Sequence, residues 1–310
     1  MADDKWISGL DGDMTITEAA RRILTVRLST VLDRLPAAVD QAIEDIEHVH
    51  QLRVGTRRAG AAVQTFADYI TSKFHKRARR TLRAIRRAAG AARDWDVFLQ
   101  TVNARLARTG PQQQAGLDFL LGFGHGQRVC AQEHLRDATD GKAAKLHQLL
   151  GDLEESLDVP AHAGTLRDLA VPMVTQLLKE FEQAASGDLH AYEALHQVRI
   201  LGKQLRYAME LFESCFHHAF REEIYTSVTE MQDILGKSND SHVATGRLED
   251  LTARLERTQP DQWPRYRPAV QQLQLYHRRR LPSQRRLFLK WWAQWQSSGL
   301  SATLGKLLKT

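Results

Sequence analysis

His50-Gln51-Leu52-Arg53-Val54 returns later in the chain as His196-Gln197-Val198-Arg199-Ile200, and both stretches open apolar-periodic segments rich in further cations. A second pair keeps the same register: Gly90-x-x-Arg93-Asp94-x-Asp96 reappears as Gly236-x-x-Asn239-Asp240-x-His242. The offset is 196 − 50 in one case and 236 − 90 in the other, 146 both times. Two motifs held in one register mark an internal duplication. Apolar residues recur at helical spacing almost throughout, with no sustained period-two alternation of the kind a half-buried strand shows. The chain therefore reads as all-α, an internal duplication of two halves, each long enough to bury its own core.

Periodicity predicts helices over 15–34, 43–70, 73–89, 95–108, 113–138 and 142–156, then 164–185, 190–214, 219–235, 241–257 and 265–296. The corresponding division is a tail at 1–14, a first repeat at 15–156, a connector at 157–163, a second repeat at 164–296 and a tail at 297–310. Gly90 and Gly236 are placed to end helices in the left-handed conformation, with Asp94, or Asn239 and Asp240, capping the next helix. Cys130 and Cys215 lie in helical segments without metal or redox spacing and are expected to be inert packing thiols.

The net charge of +6 conceals a sharper separation. Residues 53 to 93 hold twelve Lys or Arg against one acid, Asp68, and residues 265 to 290 hold eight and none. The rest of the chain is correspondingly acidic, an arrangement suited to a focused anion site. Segment 73–89 shows the design: Phe74, Ala78, Leu82, Ile85 and Ala89 form an apolar stripe, while Lys73, Lys76, Arg80, Arg83 and Arg87 form a cationic one. Solvated faces normally interleave acids as i,i+4 partners, and this one has none. Cations about 6 Å apart repel by roughly 0.7 kcal/mol in water and roughly 3 at an effective dielectric near 20, so a bound anion would relieve the stripe.

His196, Arg199, Lys203 and Arg206 fall at i, i+3, i+7 and i+10, a ladder along one helical face, and His50, Arg53 and Arg57 repeat it with Arg58 adjacent. The planar guanidinium donates two parallel hydrogen bonds to phosphate, so a repeated Arg ladder suits a repeated phosphate. The histidines lead each ladder as hydrogen-bonding groups or simply pack. No nucleotide loop, zincin motif or Ser/His/Asp signature appears, and the basic regions lack clustered acids for Mg²⁺. His217-His218 and His48-x-His50 are not at the i,i+4 spacing that places two imidazoles on one face for zinc. The run Leu287-Phe288-Leu289-Lys290-Trp291-Trp292-Ala293-Gln294-Trp295 reads as a core-facing last helix in preference to a base-stacking platform. No run is apolar and long enough to span a membrane, and with no export signal at the start the expected location is cytoplasmic.

Two ordered copies of these motifs, His50-Gln-Leu-Arg53-Val-x-x-Arg57-Arg58 with Gly90-x-x-Arg93-Asp94-x-Asp96-Val97, and His196-Gln-Val-Arg199-Ile-x-x-Lys203-x-x-Arg206-Tyr207 with Leu235-Gly236-x-x-Asn239-Asp240, resemble the CHAD domain, the conserved histidine α-helical domain, over residues 15 to 296. The resemblance implies two helical bundles related by pseudo-twofold symmetry, a basic central channel that binds inorganic polyphosphate, and an association with polyphosphate granules. Gly60 and Gln204 stand where the family commonly shows cations, so two rungs are missing. The triphosphate-tunnel domain that some relatives carry is not recognisable here. The candidate ligand-binding set is His50, Arg53, Arg57, Arg58, Lys76, Arg80, Arg83, Arg87, Arg93, Arg128, His196, Arg199, Lys203, Arg206, Arg279, Arg280 and Arg286, with no catalytic residue, metal or cofactor expected. Two other readings stay open: a basic helical nucleic-acid binder, and a phosphoanhydride-processing enzyme using His50 or His196.

Overall fold

The computed structural model describes residues 5–107, 110–157, 164–300 and 304–305, without the side chains of 111 and 112. Ten α-helices follow one another among these residues: α1 Ile16–Asp40, α2 Glu47–Thr65, α3 Ser72–Leu106, α4 Pro111–Thr139, α5 Lys142–Gly151, α6 Leu153–Ser156, α7 Leu166–Ala185, α8 Tyr192–Phe212, α9 Thr226–Thr258 and α10 Trp263–Ser297. Short 3₁₀ turns follow α2 and α8, and one π-helical turn, Phe220–Tyr225, runs directly into α9. The described residues contain no strand, only a single antiparallel bridge between Thr15 and Thr165. Among the described residues no helix is long and apolar enough to cross a membrane.

That bridge joins two helix starts built alike. Thr15 caps α1 in a capping box with Glu18, and Thr165 caps α7 in one with Asp168, so each satisfies the orphan amides of its first turn. Leu166 N donates to Met14 O at 2.8 Å and Ile16 N to Gly164 O at 3.3 Å, fastening the two starts together. Residues 5–14 of the expected tail are packed onto the helices: Ile7 is buried, Trp6 meets Tyr225 edge to face, and Arg27 donates to Lys5 O. The expected connector falls almost wholly on 158–163, outside the described residues.

The expectation of one core per half gives way to a different division. The main core runs continuously from Ile7 to Leu304 and draws on both halves, including Phe66, Ile85, Phe181, Phe212 and Phe288. A second core gathers Phe98 and Val102 of α3, Leu117 and Leu120 of α4, Leu248, Leu251 and Leu255 of α9, and Ala269, Val270 and Leu273 of α10. Four helix ends thus make a bundle of their own, away from α1, α2, α7 and α8. Gly116 admits the close approach of α4 to α10, since a Cβ there would lie 2.6 Å from Ala269 Cβ and 2.9 Å from Tyr266 O.

The second core explains why two expected helix ends are absent. α3 is 35 residues long, about 52 Å, and passes through Gly90 without a break, while α9 passes through Gly236. Neither glycine has positive φ, so neither is a C-cap and the acids after them cap nothing. Apolar positions continue on one face beyond Gly90 to Ala92, Phe98, Leu99 and Val102. Burying them outweighs the roughly 1 kcal/mol that a mid-helix glycine costs. The tryptophan run does face the core: Trp291, Trp292 and Trp295 pack edge to face around Phe181. Of the cysteines only Cys215 is a packing thiol, its pKa pushed up to about 12 by burial, whereas Cys130 is exposed.

Candidate anion-binding groove

α2 and α8 lie side by side where the two halves meet, held by a buried ion pair. Arg58 Nε sits 2.7 Å from Glu210 Oε2, and Tyr225 Oη donates to Glu210 Oε1 at 2.8 Å. α8 seats closely on α9 at Gly202, where a Cβ would come within 2.5 Å of Gln232 Nε2 and Met231 Cε. Above this junction α3 runs along the open side of α2. Between α2, α3 and α8 lies a groove of about 1510 Å³.

Ten cations line it: Arg53 and Arg57 from α2, Lys76, Arg79, Arg80, Arg83, Arg86 and Arg87 from α3, Lys203 from α8 and Arg247 from α9. Asp94 is its one acid, and Ile200, Gln204 and Tyr207 of α8 form the less charged wall. The six α3 cations are exposed and, among the described residues, form no ion pair. They spread over about 120° of the helix, at 100° per residue, opposite the buried Phe74, Ala78, Leu82 and Ile85. Asp94 is spent on order within the groove. It lies 3.5 Å from Arg53 Nη1 and 3.4 Å from Arg247 Nη2, and its carbonyl accepts from Arg247 Nη1 at 2.9 Å. The carboxylate therefore ties α2, α3 and α9 at one end of the row, and Arg247 also stacks over Trp95.

Of the candidates read from sequence, Arg53, Arg57, Lys76, Arg80, Arg83, Arg87 and Lys203 line the groove. Arg199 lies one turn before Lys203, its Nε buried without a partner, and its pKa is lowered by burial and then by Arg57. His50 and His196 stand one turn before Arg53 and Arg199 without lining the groove. His196 Nδ1 meets Tyr192 Oη at 3.3 Å, and Tyr192 stacks on His242. Burial first, then nearby arginines, holds both imidazoles below their usual pKa: Arg93 acts on His50 and Arg199 on His196.

The remaining candidates are directed elsewhere. Arg58 and Arg206 share Glu210, Arg206 at 3.8 Å. Arg128 Nε pairs with buried Asp96 at 2.6 Å and its Nη1 donates to Gln132. Arg93 Nη1 is buried beneath the surface without a partner. Arg280 donates to Tyr276 Oη, and Arg279 and Arg286 lie exposed on α10, outside the groove. Sequence reasoning missed Arg79, Arg86 and Arg247. The first two stand four residues before and three after Arg83, a neighbour rule that would have widened the stripe. Nothing local marks Arg247.

The groove is unequally furnished. Positions on α9 and the turn before it that lie 146 beyond the α3 cations are Glu222, Tyr225, Thr226, Thr229, Gln232 and Asp233. The α3 positions form a cationic wall, and the positions 146 residues further on do not.

The chain resembles solved helical structures over nearly its full length. It matches the crystal structure of the CHAD domain from the plant Ricinus communis with a TM-score of 0.72 and 23% identity, covering 88% of this chain and 89% of that one. It matches PptA from Streptomyces chartreusis with a TM-score of 0.65 and 18% identity, covering 89% of this chain and 99% of that one. No curated protein matches it. The CHAD domain family profile covers residues 22–249, a span that holds both His-Gln-x-Arg motifs and every groove cation, and the chain belongs to the CHAD domain family.

Proposed function

We infer that the groove holds inorganic polyphosphate, and that the protein is a binding module without turnover. The observation that carries this is the set of ten cations facing a single acid, six of them unpaired on one face of α3. Such a row repels itself until an anion of matching linear form lies along it. Arginine dominates the row, which suits phosphate oxygens better than isolated carboxylates. The ligand that the family resemblance implies has this charge, form and chemistry. The repeated motifs at an offset of 146 support reading the two halves as pseudo-twofold copies, one of which has kept the cationic wall. A cytoplasmic location at polyphosphate granules accords with the same reading.

Titration with long-chain polyphosphate at 50 and 200 mM salt tests it. Neutralising about six phosphates releases enough counterions to weaken binding a hundredfold or more over that range. Affinity that barely changes with salt would overturn the assignment. Duplex DNA in excess should fail to displace polyphosphate; effective competition would favour the nucleic-acid reading. Phosphate release that depends on His50 or His196 would make the protein an enzyme instead.

A further inference from the structure

We propose that the groove binds its polyanion together with a proton, and that Lys203 is the residue that receives it. This deepens the polyphosphate reading and rests on it.

Lys203 leaves α8 between Arg199 and Arg206 and enters the groove beside Arg53 and Arg57 of α2. α3 adds Arg86, Arg87 and Asp94 to the same lining, and α9 adds Arg247. The carboxylates nearby are engaged by other groups. Asp94 holds Arg53 and Arg247, Glu210 holds Arg58 and Arg206, and Asp240 acts on Arg53 and Arg199. Among the described residues Lys203 forms no ion pair.

A crowd of cations in a partly desolvated site lowers its free energy by losing one charge. Arginine cannot do this, because its guanidinium keeps its proton far above physiological pH, whereas an ammonium can give its proton up. Lys203 is the only lysine in the crowd, and Lys76 stands exposed at the far end of the groove. Burial, then Arg57, Arg199, Arg53 and Arg206, pushes the Lys203 pKa down to about 6. A phosphate chain laid against it supplies the missing opposite charge and restores the proton.

The complex then holds more protons than the free groove, so affinity falls as pH rises. The fall is about tenfold per pH unit between about 6 and the higher pKa of the complex. His50, His75 and His196 are the other groups nearby whose protonation is suppressed, and His75 lines the groove beside Lys76. His50 and His196 lie outside the lining, His75 stands on α3 away from Lys203, and a variant lacking all three imidazoles separates their contribution.

The test is isothermal titration of the full chain with long-chain inorganic polyphosphate at pH 7.5, in two buffers of different ionisation enthalpy. Nearly one proton should be taken up per site. Lys203→Arg should keep the binding, abolish the uptake and flatten affinity between pH 6.5 and 8.5; Lys203→Met should abolish the uptake and lose more affinity at pH 6 than at pH 8. His50→Gln with His75→Gln and His196→Gln should retain the uptake. Polyphosphate binding without proton uptake, or uptake that survives in both Lys203 variants, would overturn the proposal and leave the polyphosphate reading standing. Failure of the wild-type protein to bind polyphosphate at all would remove that reading first.

Discussion

Gly60 shows how a single residue changes meaning once its surroundings are known. In sequence it is a missing rung; in the fold it lines the groove on α2, and a Cβ there meets nothing within 4 Å. Gly60→Arg should therefore fold normally, gain about 0.5–1 kcal/mol of helix stability before like-charge repulsion is counted, and add a phosphate contact. A steeper log–log salt dependence of polyphosphate affinity, by roughly 0.7, is the expected readout, and an unchanged slope would show that the chain does not pass this point. Glu210 makes the opposite case. It is buried between Arg58, Arg206 and Tyr225, so Glu210→Ala strands a buried guanidinium and should cost about 3–5 kcal/mol in urea unfolding. The sequence presents Arg57 and Arg58 as neighbours of equal standing, and only the 152-residue reach from Arg58 to Glu210 separates ligand-facing from structural arginine.

α3 is the element on which function turns. Its first four turns pack Phe74, Ala78, Leu82 and Ile85 inward and hold the cations outward, and its last turns join the second core. Replacing Arg79, Arg83 and Arg86 together by Gln should lower the salt slope by about two and weaken polyphosphate binding at least tenfold at low salt, with helix content unchanged. The matched control is Arg279→Gln with Arg286→Gln on α10, which removes two exposed cations outside the groove and should leave affinity within about twofold. An equal loss in both variants would mean that general surface charge carries the binding. The apolar and cationic stripes of this helix were legible from 73–89 because amphipathicity is a local repeat. Its continuation through Gly90 was not, since the residues that make it worthwhile, Leu117, Leu248 and Leu273, come from three other helices.

Across the whole molecule, pH acts on a second buried group far from the groove along the chain. His277 of α10 is 5% exposed, and neither of its ring nitrogens has a hydrogen-bond partner. Burial, then Arg280 and Arg105, pushes its pKa down to about 4. An unfolded histidine titrates near 6.5, so below that pH the unfolded chain binds the extra proton and the fold loses stability. The loss should approach 1.4 kcal/mol per pH unit between about 6.5 and 4, and His277→Leu should remove that slope in urea unfolding at pH 7, 6 and 5. A variant with the wild-type slope would assign the acid sensitivity to the carboxylates. Helical class, the 146-residue register, the two ladders and the cationic stripe could all be read from the chain, because each is a pattern in the order of residue types that needs no knowledge of which helices touch. Which cations share one groove could not. That depends on carboxylates and glycines brought in from distant helices: Asp96 withdraws Arg128, Glu210 withdraws Arg58, Asp94 recruits Arg247, and Gly202 seats α8 so that Lys203 meets Arg57. Charge is written residue by residue, but its effect is set by distance and burial, which exist only after the helices have packed.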